Sequence, residues 1–90
     1  MYGVVTQATI HDFEQAKKIL NEQGIPRLSQ APGFVSGHWV LLDENRGRGM
    51  LIFESEEAAQ AGAEMVRANA PGGPAITVDS IDVGEVVGHA

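Results

Sequence analysis

The sequence contains no cysteine, which excludes disulfides, thiolate metal sites and a cysteine nucleophile. It is also poor in positive charge, with six Lys and Arg against twelve Asp and Glu and a formal net charge of −6. Those cations are scattered rather than gathered into a stripe, so a nucleic-acid partner is not expected. Aromatics make up only 6% of the chain. The run Gly49-Met50-Leu51-Ile52-Phe53 holds one of them, too few for the stacking platforms of an RNA-binding sheet. No apolar run approaches the ~20 residues of a membrane span. The N-terminus leads straight into a strand pattern, without the basic and apolar segments of a leader. The expectation is a soluble, cytoplasmic protein with no membrane partner.

What the chain does contain is a clear order of elements within 90 residues, enough for one domain spanning 1–90. Tyr2 to Thr9 is a β-branched run, after which Phe13, Ala16, Ile19 and Leu20 recur at helical spacing. Asp12 is placed as N-cap or in the first turn of that helix, and Gly24 is its natural stop. A connection from Gly24 to Gly33 follows, carrying Pro26, Arg27 and Pro32. Phe34–Leu42 and Gly49–Phe53 read as strands flanking a turn at Asp43-Glu44-Asn45-Arg46-Gly47. Ser55 caps a second, Ala-rich helix reaching Ala70, which Pro71-Gly72-Gly73-Pro74 ends. Ile76–Val87 closes the chain as a strand whose apolar residues change parity between Val78 and Ile81, which predicts a bulge or bend near Asp79-Ser80.

Strand, helix, strand, strand, helix, strand is the split βαβ pattern of ferredoxin-like folds. The fold class is therefore α+β: a βαββαβ chain forming a four-stranded antiparallel sheet in the order 4-1-3-2, with two helices on one face. The helices leave the other face bare, yet both parities of the second strand are apolar, with Phe34 and Val40 on one and Val35, Trp39 and Leu41 on the other. Monomers avoid large exposed apolar patches. A homodimer through the helix-free sheet face, burying more than ~1,200 Å², is the expected partner arrangement. The length of the last strand leaves an excess that either frays at the C-terminus or pairs with the partner copy.

Few residues suggest chemistry. His38 is the candidate catalytic group, because histidine ordinarily titrates near neutrality. Strand alternation sends it and Trp39 to opposite faces. If the helix-free face lines a cavity, His38 and Ser36 supply its polar side. Trp39, Arg27 and Tyr2 are candidate ligand-binding residues, the last two at a pocket mouth. No Ser-His-Asp spacing or carboxylate pair is identifiable, and no ligand cluster has metal-site spacing, so no metal is expected. The polar face of the first helix, including Glu14, Lys17 and Lys18, reads as a solvated surface. Gly47 and Gly49 precede a strand rather than a helix N-terminus, so they form no phosphate loop.

The segment Ala31-Pro32-Gly33-Phe34-Val35-Ser36-Gly37-His38-Trp39 resembles the PGF segment leading into the second strand of antibiotic-biosynthesis-monooxygenase-like proteins. Phe53-Glu54-Ser55-Glu56-Glu57-Ala58 fits the same group. The resemblance covers nearly the whole chain and implies a dimeric α+β barrel, two ferredoxin-like sheets packed face to face. Members of that group include cofactor-independent oxygenases of aromatic polyketides, haem-degrading enzymes and small proteins of no assigned activity. Haem-degrading members use an Asn on the first strand, a sheet Trp and a His on the second helix. This chain has Gln7 on the first strand, and no His from Ser55 to Ala70. The expectation is no cofactor: neither haem, flavin nor nicotinamide. The function implied is small-molecule binding or cofactor-independent monooxygenation of an aromatic or polyketide-like compound. A non-catalytic structural or regulatory homodimer, or an accessory subunit of a biosynthetic enzyme, is the alternative.

Overall fold

The elements follow in the order β1 (Tyr2–Ile10), α1 (Phe13–Ile19), α2 (Ile25–Ser29), β2 (Phe34–Leu41), β3 (Arg46–Phe53), α3 (Glu56–Asn69) and β4 (Ile76–Glu85) in a computed structural model that describes residues 1–69 and 73–90. The four strands form one antiparallel sheet ordered β2-β3-β1-β4, with β1 and β3 central, as the split βαβ pattern requires. The expected helix stop at Pro71-Gly72-Gly73-Pro74 falls partly outside the described residues; within them, Gly73–Ala75 forms a short 3₁₀ turn leading into β4.

The first helical segment departs from the sequence reading. Asp12 caps α1 as expected, its carboxylate accepting from the Gln15 amide at 3.0 Å. Gly24, however, is no terminator. The chain passes through one π-helical turn, Leu20–Gly24, and continues as α2, with Gly24 itself right-handed. The Ile25 amide bonds back to the Leu20 carbonyl, five residues behind. That wider turn restarts the helical register, so Pro26 falls in the first turn of α2, where a missing N–H leaves nothing unsatisfied. The Gly24–Gly33 connection is thus mostly helix. Its true turn is at Pro32-Gly33, where Gly33 adopts a φ of 79° and its carbonyl accepts the Glu54 amide at 2.8 Å.

The β2–β3 hairpin is tighter than its sequence suggested. Glu44 and Asn45 both have positive φ, as the two central residues of a type I′ turn must, and the Arg46 amide closes the turn on the Asp43 carbonyl. An ion pair between Arg46 and Asp43 clamps it. Arg46, Gly47 and Arg48 therefore belong to β3 rather than to the turn. In β4 the parity change is a real bulge: Gln7 pairs with Ser80 and Ala8 with Val78, leaving Asp79 unmatched. Thr9 Oγ1 donates to the Asp79 carboxylate at 2.8 Å and holds the bulge.

A second irregularity, between Phe34 and Ser36 in β2, corrects the sequence-based grouping of that strand. It shifts parity by one, so Phe34 and Trp39 share the helix-covered side while Val40 faces the opposite way. Phe34 meets Phe53 edge-on, ring centroids 5.7 Å apart. The core lies under α2 and α3: Val4, Leu51 and Phe53 from the sheet pack against Leu28, Ala59, Ala63 and Val66. Gly62 is what lets α3 descend this far, since a Cβ there would lie 2.3 Å from the Phe53 ring. Ser55 caps α3 by accepting the Ala58 amide at 3.1 Å.

Candidate functional site

Alternation along the two central strands gives the helix-covered face a gradient of side-chain size. From β1 it receives Val4, Thr6 and Ala8, and from β3 it receives Phe53, Leu51, Gly49 and Gly47. The large side chains stand under α3 and the small ones stand under α1. Small residues beneath a helix leave space, and a cleft of about 560 Å³ opens there between the sheet and α1 with its π turn. Phe13, Ala16, Leu20 and Ile25 form its helical wall.

Trp39 forms the floor. Its indole lies along the sheet across two glycines: a Cβ at Gly37 would lie 2.8 Å from Trp39 Cη2, and one at Gly49 would lie 3.1 Å from Trp39 Cδ1. A Cβ at Gly49 would also lie 2.6 Å from Thr6 Oγ1. The indole Nε1 and the Thr6 hydroxyl therefore flank the same bare stretch of β3. Among the described residues neither has a hydrogen-bond partner. Both residues line the cleft, so two polar groups stand uncommitted on an otherwise apolar floor.

The four residues singled out from sequence are not brought together. Trp39 is in the cleft. His38 borders it along β2, but its exposed side chain alternates to the helix-free face, where its register partner is Met50. Arg27 is exposed on α2. Tyr2 packs against the core at the far end of β1. This cleft lies on the helix-covered side of the sheet, under α1 and its π turn, and is distinct from the space expected between the helix-free faces of two copies. Gln7, the β1 residue noted in place of an Asn, points away from the cleft; Thr6 and Ala8 line it. Lys17, which the sequence reading assigned to solvent, is exposed and also stands at the cleft. It lines the cleft with Phe13, Ala16, Leu20 and Asn21, and that spacing of three and four was the signal.

The chemistry available is binding by ring surfaces and hydrogen-bond donors. No side chain lining the cleft is a cysteine, methionine or tyrosine, and the one lining histidine, His38, turns its ring to the other face. Haem therefore does not fit this cleft as a group held by a histidine, cysteine, methionine or tyrosine. Among the described residues no cluster of three His, Asp or Glu could hold a metal ion. No helix among them is long and apolar enough to cross a membrane.

No protein-family model matches the chain, and no curated protein matches it. Solved structures do. SnoaB, a cofactor-independent oxygenase from Streptomyces nogalater, superposes with a TM-score of 0.69 at 13% identity over 98% of this chain and 94% of its own. MhuD, the haem degrader of Mycobacterium tuberculosis with two haems bound in its active site, is 26% identical, with a TM-score of 0.57 over 97% of this chain and 98% of its own. A dimeric ferredoxin-like protein from an uncultured marine organism gives 0.60 at 15% identity, over 100% of this chain and 98% of its own. The chain has the subunit fold of antibiotic-biosynthesis-monooxygenase-like dimeric α+β barrels.

Proposed function

We propose that this chain is a homodimeric small-molecule-binding protein that takes an aromatic, polyketide-like compound into the cleft under α1. The observation that carries this reading is Trp39, spread over Gly37 and Gly49 with its Nε1–H uncommitted on the cleft floor. A volume of about 560 Å³ falls within the range of ligand sites. An indole offers a flat ring both a stacking surface and an edge to pack against. The likeness to SnoaB supports an oxygenase-like use of the site. An oxygenase without a cofactor draws its electrons from the substrate, so the protein has to bind it, exclude water and stabilise the negative charge that develops on it. Trp39 Nε1–H and Thr6 Oγ1–H are the donors placed for that stabilisation.

The homodimer forms through the helix-free face. Val5, Val40 and Met50 stand there at 39%, 53% and 50% exposure, with Ile52 half-buried beside them. A two-fold pairing of sheets covers this patch. In this arrangement His38, next to Met50, serves the interface rather than the ligand. A structural homodimer without chemistry is the second reading, favoured by the same apolar face.

Thermal unfolding in the presence of aromatic compounds tests the proposal. A binding compound raises the melting temperature in proportion to the logarithm of its concentration. Trp39→Leu should abolish that rise while His38→Ala preserves it. The opposite result, binding lost in His38→Ala and kept in Trp39→Leu, would contradict the assignment of the cleft.

A further inference from the structure

The cleft differs in charge from the molecule that contains it. The chain carries twelve acidic residues and six basic ones, yet no Asp or Glu lines the cleft. Two cationic residues do, Lys17 and Arg48. Arg48 alternates to the helix-free face in register with Gln7, and its guanidinium is turned onto the Gly47 carbonyl at 2.9 Å. Lys17 is different. It occupies the apolar stripe of α1, one turn from Phe13 and Leu20, where a hydrophobic residue would otherwise complete the wall. Among the described residues it forms no ion pair, although Glu14 lies one turn behind it on the same helix. A lysine in that place lays its aliphatic stem along the wall and keeps its ammonium at the opening.

Together with the floor, this gives the cleft a one-sided polarity: an ammonium, an indole N–H and a hydroxyl, with no opposing carboxylate. We propose that the occupant is an anionic aromatic compound, a phenolate, enolate or aromatic carboxylate, paired with Lys17 Nζ and hydrogen-bonded by Trp39 and Thr6. This inference rests on the cleft being the ligand site and adds the charge of the ligand. Lys17 selects it by charge, and its positive potential within a net-acidic chain favours the approach of an anion at this opening.

The test uses two flat quinones of nearly equal shape: 2-hydroxy-1,4-naphthoquinone, ionised at neutral pH, and its neutral 2-methoxy ether. The absence of cysteine removes thiol addition as a side reaction. Quenching of the chain's single tryptophan, Trp39, reports binding directly. The anion should bind about fivefold to tenfold tighter than the ether, as a partly solvated ion pair allows. That preference should shrink with added salt. Lys17→Met should level the two quinones, and Lys17→Arg should restore the preference, both with unchanged melting temperature without ligand. Equal binding of the two quinones to the unaltered protein would overturn the anion inference and leave the cleft assignment standing. Absence of quenching by both would overturn the cleft assignment itself.

Discussion

The two ends of the helix-covered face are built by the same strands and differ mainly in side-chain volume. At one end Val4, Leu51 and Phe53 are fully buried beneath α3. At the other, Thr6, Ala8, Gly47 and Gly49 leave a cleft beneath α1. Nothing in strand pairing separates them, since β1 and β3 run in continuous register from Tyr2–Phe53 to Thr9–Arg46. The difference teaches that the packed core and the open cleft of this fold are divided along the strands rather than between layers. One end is packed to hold the chain together; the other is left open by residues too small to close it.

The largest effect should come from hollowing the packed end. Phe53→Ala removes a fully buried ring and should cost about 3–5 kcal/mol in denaturant unfolding. The reverse operation at the open end should be cheap in stability and fatal to binding. Ala8→Leu places a larger side chain in the cleft, and should abolish the ligand-induced rise in melting temperature while changing unfolding free energy by no more than about 1 kcal/mol. If both substitutions proved equally destabilising, the contrast between the two ends would be wrong. The bare face gives a third, separable effect. Met50→Asp puts a charge in the centre of the exposed apolar patch and should shift the protein to monomers by light scattering at micromolar concentration. The smallest expected change is Ser55→Ala, which removes the α3 cap and should cost about 1 kcal/mol.

Particular residues show why the architecture could be read from the chain and the cleft could not. The Asp79 bulge was legible because an apolar run that changes parity has no other way to keep one face buried. The opposite facing of His38 and Trp39 was legible for the same reason, period-two alternation. Gly24 and Pro26 misled because both ordinarily end helices, whereas a single π turn absorbs them; a sequence pattern carries no mark of that local widening. Reading Gly47 as part of the hairpin turn hid the fact that it shares a face with Gly49. Two glycines on one face of one strand, opposite Ala8 and Thr6, are what make the cleft. Lys17 was assigned to solvent by its charge and is exposed, yet its spacing from Phe13 and Leu20 also sets it at the edge of the cleft.

The central claim is that the open end of the helix-covered face is where this protein meets its ligand. Amide and indole chemical shifts of the isotopically labelled protein, followed while 2-hydroxy-1,4-naphthoquinone is added, test it most directly. The account predicts that the largest changes fall on the Trp39 Nε1–H and on the amides of Thr6, Gly37, Gly47 and Gly49. Changes confined to Val5, His38, Met50 and Asp82 on the helix-free face would contradict it.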